Sequence, residues 1–196
     1  MLGAVHDKLV FGRRVRRLAT VIGERLPADA RVLDVGCGSG DLAVLIMQMR
    51  PDVTIEGIDV LVRPDTAIPV HAFDGAHIPF ADNAFDAAIV VDVLHHTDDP
   101  EAVLAEIARI APMVIIKDHL RDGLAANATL RFMDWVGNAA HGVRLPYNYL
   151  SRKEWTNLWR TLDLGVSRFA TRLSLYPRPF SWVFDRGLHF VTVLSR

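Results

Sequence analysis

The chain has one cysteine in 196 residues, Cys37, and nowhere a run of the roughly 18 uninterrupted apolar residues that a membrane span needs. A lone thiol excludes an internal disulfide framework, and with no His/Cys cluster at ligand spacing a structural zinc site has no basis. Even the most apolar stretch, Ala87–Leu94, is broken by Asp92, so no transmembrane segment is expected. Strong charge of either sign is also missing. A net charge of -1 offers no general field for a polyanion, which argues against a nucleic-acid partner. A secretory signal is not read either, because the basic residues follow the apolar ones and no small-residue cleavage site comes after them. A cytoplasmic location is the resulting expectation. The one basic cluster, Arg13, Arg14, Arg16 and Arg17, reads as the solvated face of an N-terminal helix.

Apolar runs of strand length alternate with segments of helical period, the pattern of βαβ units in a mostly parallel sheet. The length suits one domain with a full-sized core. Strands are predicted at Arg31–Val35, Val53–Ile58, Val70–Phe73, Ala87–Val91 and Met113–Lys117, with two more near Val166–Thr171 and Leu188–Leu194. Ala87–Val91 is continuously apolar and should be buried on both faces. A helix over Asp41–Met49 is stopped by Pro51. Asp99 caps a second helix, with Pro100 at its first position, running to about Ile110. Ser151 and Glu154 form a capping box that opens a third toward Leu162.

The informative segment is Val32–Asp41, VLDVGCGSGD, where glycines crowd the turn between a buried strand and a helix. Gly36, Gly38 and Gly40 allow the main chain to touch a ligand directly. Their spacing is G-x-G-x-G. The dinucleotide fingerprint needs Gly or Ala where Asp41 stands, which counts against a nicotinamide oxidoreductase, and no Gly-Lys-Ser/Thr closes a phosphate loop. Further acids end successive strands, where open α/β sheets bind ligands: Asp59 about 20 residues past the glycine turn, at the place from which a carboxylate accepts from ribose hydroxyls, and Asp74 after the third strand. Each acid alone suits a turn or helix cap equally well; their joint order carries the reading.

VLDVGCGSGD, GIDV at Gly57–Val60 and FDGAHIPFADNAFDAAIVVDVLHH at Phe73–His96 together resemble the class I S-adenosylmethionine-dependent methyltransferases, in the small-molecule group that includes the ubiquinone and menaquinone C-methyltransferases. The resemblance implies an α/β, Rossmann-like, mostly parallel seven-stranded sheet with helices on both faces and the last strand antiparallel. It implies one domain over residues 1–196, with an N-terminal helix in 1–30, a cofactor-binding core in 31–117, and acceptor-side helices and C-terminal strands in 118–196. It implies S-adenosyl-L-methionine as cofactor and S-adenosyl-L-homocysteine as product. Asp34 with Gly36, Cys37, Gly38 and Gly40 would hold the methionyl end, Asp59 and Val60 the ribose side, Asp74 and Gly75 the adenine, and Asp92 would face the methionyl moiety. Cys37 is read as packing and not as a nucleophile. Leu61–Pro69, short and carrying two prolines, is not expected to form a full helix.

Methyl transfer asks mainly for alignment and exclusion of water. A base matters only where the acceptor must lose a proton, and His95 and His119 are the catalytic candidates, just beyond strands four and five. His96 and Asp118 are placed beside the acceptor, with His96 favoured as a loop support. No metal is expected, since Asp99 is explained as a helix cap and no third oxygen ligand accompanies Asp98. The acceptor is expected to be a small organic molecule, lipophilic ones included, bound by Leu120–Leu150 and the C-terminal aromatics. Phe132 and Trp135, spaced i, i+3, are expected to pack on the sheet. Asn138 and His141 add polar tips, and Tyr147 and Tyr149 are the preferred acceptor contacts. Tyr176–Phe184, YPRPFSWVF, is a hairpin covering the core or a lipophilic contact surface, the cover being favoured. A nucleic-acid amino-methyltransferase would show Asp/Asn-Pro-Pro-Tyr/Phe where this chain has Asp92-Val93-Leu94-His95. The alternative that survives is a non-catalytic module binding S-adenosylmethionine or S-adenosylhomocysteine.

Overall fold

The computed structural model describes residues 12–138 and 146–196. His141 lies outside them, and of Asn138 only the backbone is described. Helix α1 (Gly12–Gly23) leads into β1 (Arg31–Val35), α2 (Asp41–Met49), β2 (Thr54–Asp59), β3 (Val70–Ala72) and β4 (Ala87–Val91). A 3-10 turn at Leu94–His96 precedes α3 (Pro100–Ile110) and β5 (Met113–His119). The chain continues through α4 (Ala126–Asn138), α5 (Arg152–Thr161), β6 (Gly165–Ala170), the short α6 (Ser181–Phe184) and β7 (His189–Ser195). The strands form one sheet in the order β3-β2-β1-β4-β5-β7-β6. β7 runs antiparallel to both its neighbours and the other described pairings are parallel, as the sequence implies.

Alternation along the strands divides the core. Val32, Ala87, Ile89, Ile115 and Val193 face α1 and α2, whereas Leu33, Ala88, Val90 and Ile116 face α3 and α5. Local signals hold where they are strong. The Asp99 side chain accepts from the Ala102 amide at 3.0 Å, and the Ser151–Glu154 box is formed in both directions. Leu61–Pro69 forms no helix.

Three expectations are corrected. β5 extends through Asp118 and His119, because β7 pairs with it as far as His119 opposite His189, so both side chains are fixed by the sheet. Phe132 and Trp135 do not pack on the sheet; they are 55% and 59% exposed. Helix α4 instead buries Ala126, Leu130 and Asp134, an i, i+4, i+8 stripe that rotates the two aromatics outward. Tyr176–Phe184 is no hairpin: it contains α6, whose Trp182 is 70% exposed.

Candidate functional site

The glycine turn closes the carboxyl end of β1. Gly36 (φ 71°) and Gly40 (φ 84°) sit in the left-handed region, and a Cβ on either would lie 2.4 Å from Val93 Cγ2 or 2.6 Å from Ile68 Cγ1, so only glycine lets the loop pass. The loop is tied to β2: the Gly36 amide donates to the Ile58 carbonyl at 2.8 Å and the Gly38 amide to Asp59 Oδ2 at 2.8 Å. Asp59 thus sets the loop while holding its strand-end place. Asp34 is buried, and its carboxylate accepts no hydrogen bond from any described residue. Burial, with Asp59 nearby, pushes it up to about 7. Cys37 packs against the α1–α2 side of the core, and burial raises its thiol to about 12, too high for a nucleophile. Val60 and Leu61 present exposed apolar surface beside β2. Asp74 accepts from the Ala76 and His77 amides, which hold it below the usual carboxylate range, and Gly75 takes φ 87°.

These features suit S-adenosylmethionine. An orphaned buried carboxylate, Asp34, awaits a cation of the kind its ammonium supplies, and a carboxylate at the end of β2 stands where a ribose diol would be held. Arg63 lies against Gly38, its guanidinium 3.6 Å from where a Cβ would be. The sequence did not single it out.

Beyond strands four and five lies a buried cluster of ionisable groups. Lys117, fully buried in β5, pairs with Asp92, which also pairs with Arg14 of α1. Burial opposes the Asp92 charge, but Lys117 and Arg14 outweigh it and hold this carboxyl well below its ordinary range. The Asp92 carboxylate is therefore occupied by the chain's own cations, and Arg14 is not part of a solvated face. His95 Nδ1 donates to Asp118 Oδ1 at 2.6 Å, while its Nε2 lies 3.3 Å from Asp134 Oδ2. Burial opposes its charge too, yet Asp118 and Asp134 raise the imidazole to about 10. His95 is a fixed cation at neutral pH. Asp92, Asp118 and Asp134 face Lys117, Arg14 and His95, so three carboxylates meet three cations. The carboxylates and imidazoles come close enough to share a metal ion, but their charge is balanced by the chain itself.

His119 differs. Burial, and then Lys117, lower it to about 4, so it is neutral at pH 7, and no described residue hydrogen-bonds its Nε2. His96 is half-buried and also lowered, by burial and by His95. Its Nδ1 is buried without a partner. His189 packs beside His119, the rings tilted with centroids 4.9 Å apart, and neither of its nitrogens is bonded. Tyr149 is buried and its hydroxyl is committed to Asp134, whereas Tyr147 stays half-buried with the Arg131 guanidinium 4.3 Å from its ring centroid. Asp134, Lys117 and His189 went unnoticed in the sequence, and Arg14 was read only as part of a solvated basic face. Only Lys117, a cation ending an apolar strand run, gave a local signal.

The model of the methyltransferase domain family matches residues 6–167. The chain belongs to the methyltransferase domain family. By family and fold its cofactor is S-adenosylmethionine. Among curated relatives, the domain is similar to O-methyltransferase rstn1 of Aspergillus nomiae, 38% identical over 109 residues, 48% of each chain. It is also similar to the ubiquinone/menaquinone biosynthesis C-methyltransferase UbiE of Cupriavidus pinatubonensis, 26% identical over 171 residues, 77% of this chain and 68% of that one. The match thus spans about half the length of the first relative. Its fold is similar to that of the Burkholderia thailandensis 1,6-didemethyltoxoflavin-N1-methyltransferase, solved with S-adenosylhomocysteine, at TM-score 0.65 and 20% identity over 93% of this chain and 77% of the other. Among the described residues no helix is long and apolar enough to cross a membrane.

Proposed function

We propose that the domain transfers the methyl group of S-adenosylmethionine to a small organic acceptor bearing an acidic hydroxyl, with His119 taking the acceptor's proton and His95 positioning its surroundings. The observation that carries this is the contrast between two adjacent buried imidazoles, 4.7 Å apart: one held charged between carboxylates, the other held neutral. When bound, S-adenosylmethionine supplies an electrophilic methyl on a sulfonium. Asp34 and the glycine loop would hold its methionyl end, Asp59 and Val60 its ribose side, and Asp74 and Gly75 its adenine. Asp92, taken up by Lys117 and Arg14, shapes the wall of that site.

On the acceptor side the neutral His119 ring accepts a hydroxyl proton at Nε2. Asp118 and Asp92, within 3.3 and 3.5 Å of its Nδ1, then stabilise the imidazolium. His95 cannot perform that step, because its ring already carries both protons. His96 and the half-buried Tyr147 border the same end. The relatives' names record O-methylation and the C-methylation of ubiquinone and menaquinone biosynthesis. For this chain they support a hydroxylated acceptor that can be lipophilic. Partners of this kind, and no nucleic acid, make up the reading.

The test pairs binding with turnover. Asp59→Ala should weaken S-adenosylhomocysteine by about 1.5–3 kcal/mol in calorimetry, and wild-type protein should methylate members of a phenol and quinol panel. His119→Asn should lower kcat by roughly 10²–10⁴ while leaving S-adenosylhomocysteine affinity intact. With a base near 4, the wild-type rate should stay flat between about pH 5.5 and 8. An acid limb that His96→Ala removes and His119→Asn leaves in place would transfer the role to His96. Tight S-adenosylhomocysteine binding with no turnover of any acceptor would favour the non-catalytic module instead.

A further inference from the structure

A groove of about 610 Å³ between α1 and the segment before α6 is lined by Arg13, Arg16, Arg17, Thr20 and Pro177. A second, about 380 Å³, shares Arg13 and Pro177 and adds Arg172 and Arg178, so five arginines border one continuous surface on a chain of net charge -1. Its acid, Asp185, is one charge against five, and both its carboxylate oxygens accept from backbone amides, of Leu175 at 3.1 Å and Tyr176 at 3.0 Å. Among the described residues no carboxylate pairs with Arg13, Arg16, Arg172 or Arg178. The groove walls are fixed, since Arg17 Nε donates to the Leu173 carbonyl at 3.0 Å.

Apolar surface adjoins this charge. On α6, Trp182 is 70% and Val183 48% exposed, and on α4, Phe132, Trp135 and Val136 are each at least half exposed. The two faces are joined where Arg186 Nη2 donates to Thr129 Oγ1 at 3.0 Å. The second groove also borders the acceptor end, because its Tyr176 packs on His189 with ring centroids 5.9 Å apart. A soluble anion would use the arginines and leave Trp182 and Val183 in water. A bilayer surface uses both, phosphates on the arginines and an exposed indole at headgroup depth.

We infer that this face is a peripheral docking surface for anionic phospholipid membranes, with the arginine groove binding headgroup phosphates and the exposed apolar residues of α6 and α4 seated in the interface. Docking there turns the acceptor end of the site toward the lipid, the side from which a lipophilic acceptor would enter. The binding itself does not depend on the proposed chemistry.

The experiment is co-sedimentation of the full chain with phosphatidylcholine vesicles, with or without about 30 mol% phosphatidylglycerol, at about 0.05 and 0.5 M salt. The anionic vesicles should bind it at least about tenfold more tightly, and high salt should release it. Each arginine near the surface is worth roughly fivefold, so Arg13→Glu with Arg16→Glu should weaken binding by more than about twentyfold. Trp182→Ala should weaken it severalfold, and Trp182→Phe should reduce the blue shift of tryptophan emission on binding, which Trp182→Phe with Trp135→Phe should abolish. Both sets of positions are exposed, and unchanged thermal melting checks that the variants fold. Equal binding to neutral and anionic vesicles, or none to either, overturns the inference. So does saturable binding of inorganic phosphate, lost in Arg13→Glu with Arg16→Glu, by protein that ignores vesicles. A solution dimer that Trp182→Ala dissociates, again without vesicle binding, would make the face a contact between copies and would also overturn it.

Discussion

At the scale of single residues, the glycine loop is specified by steric exclusion as much as by chemistry. Gly57 lies in mid-strand, where glycine is ordinarily a weakness, yet a Cβ there would lie 2.3 Å from Cys37 Sγ and 2.9 Å from Cys37 Cβ. The absence of one side chain makes room for another, and Cys37 in turn seats the turn between Gly36 and Gly38. Gly57→Ala should therefore destabilise the domain by about 1–3 kcal/mol, the usual cost of overpacking. Adding Cys37→Ala removes the sulfur, the closest obstacle, but keeps the Cβ at 2.9 Å, so only part of the loss should return. Chemical denaturation of the two variants checks this; full recovery in the double variant would mean that the sulfur alone is the obstacle. The thiol is also disfavoured as a nucleophile, since partial burial and the carboxylates of Asp34 and Asp59 raise it to about 12.

At the scale of elements, helix α1 is held to the sheet in two ways. Leu18, Ala19, Val21 and Ile22 bury one face, and Arg14 reaches the end of β4 to pair with Asp92. The apolar face acts along the helix, whereas Arg14 pins its first turns over the site. Arg14→Gln should accelerate amide exchange in those first turns and cost about 1–3 kcal/mol, since Lys117 keeps Asp92 partly paired. Arg16→Gln, on the exposed face, should do neither, and equal effects from both would show that Arg14 serves only as surface charge. This division marks what the sequence could convey. Strands such as Ala87–Val91 were readable because burial on both faces leaves a continuous apolar run, and α3 and α5 because Asp99, Pro100, Ser151 and Glu154 act within one turn of themselves. The orientation of α4 was not readable. Its buried stripe includes Asp134, whose partners His95 and Tyr149 come from the β4 turn and a distant loop. Nor was the pairing of Lys117 with Asp92 and Arg14, which requires three elements to be in place first. Asp34, Asp59 and the glycines lie beside the strands that position them, which is why their placement was legible, whereas the packing of Lys117, Arg14, His95 and Asp134 around Asp92 and Asp118 was not.

At the scale of the whole molecule, the buried histidines should make stability depend on pH in opposite directions on either side of about 6.5, the ordinary imidazole value. His95 is raised to about 10 in the fold. Between 6.5 and 10 the folded state binds a proton that the unfolded chain has released, so stability is full below 6.5 and falls as pH rises through that window. His119, lowered to about 4, and His189, lowered well below its ordinary value by burial and by Lys117 and His119, act the other way. The unfolded chain takes up protons that these buried rings refuse, so stability falls as pH drops from 6.5 toward 4. Asp34, raised to about 7, opposes that acid limb, because its buried carboxyl holds a proton that the unfolded chain loses above about 4. Two imidazoles outweigh one carboxyl, and the net acid-side change remains a loss. On the alkaline side the raised thiol of Cys37 adds to the decline above the ordinary thiol range, whereas Lys117, whose buried ammonium is lowered from its ordinary value, opposes it below that value. From pH 6.5 to 9 the His95 contribution amounts to on the order of 3 kcal/mol, or roughly 6–12 °C in melting temperature for a domain of this size. Melting curves across this range should show that decline in the wild type and lose it in His95→Gln, which starts less stable but stays level. His119→Asn should flatten the acid side and leave the alkaline decline in place. If His95→Gln keeps the wild-type slope between pH 6.5 and 9, the ring is not the charged centre of this cluster. Asp118 and Asp134 would then have to be neutralised by other groups.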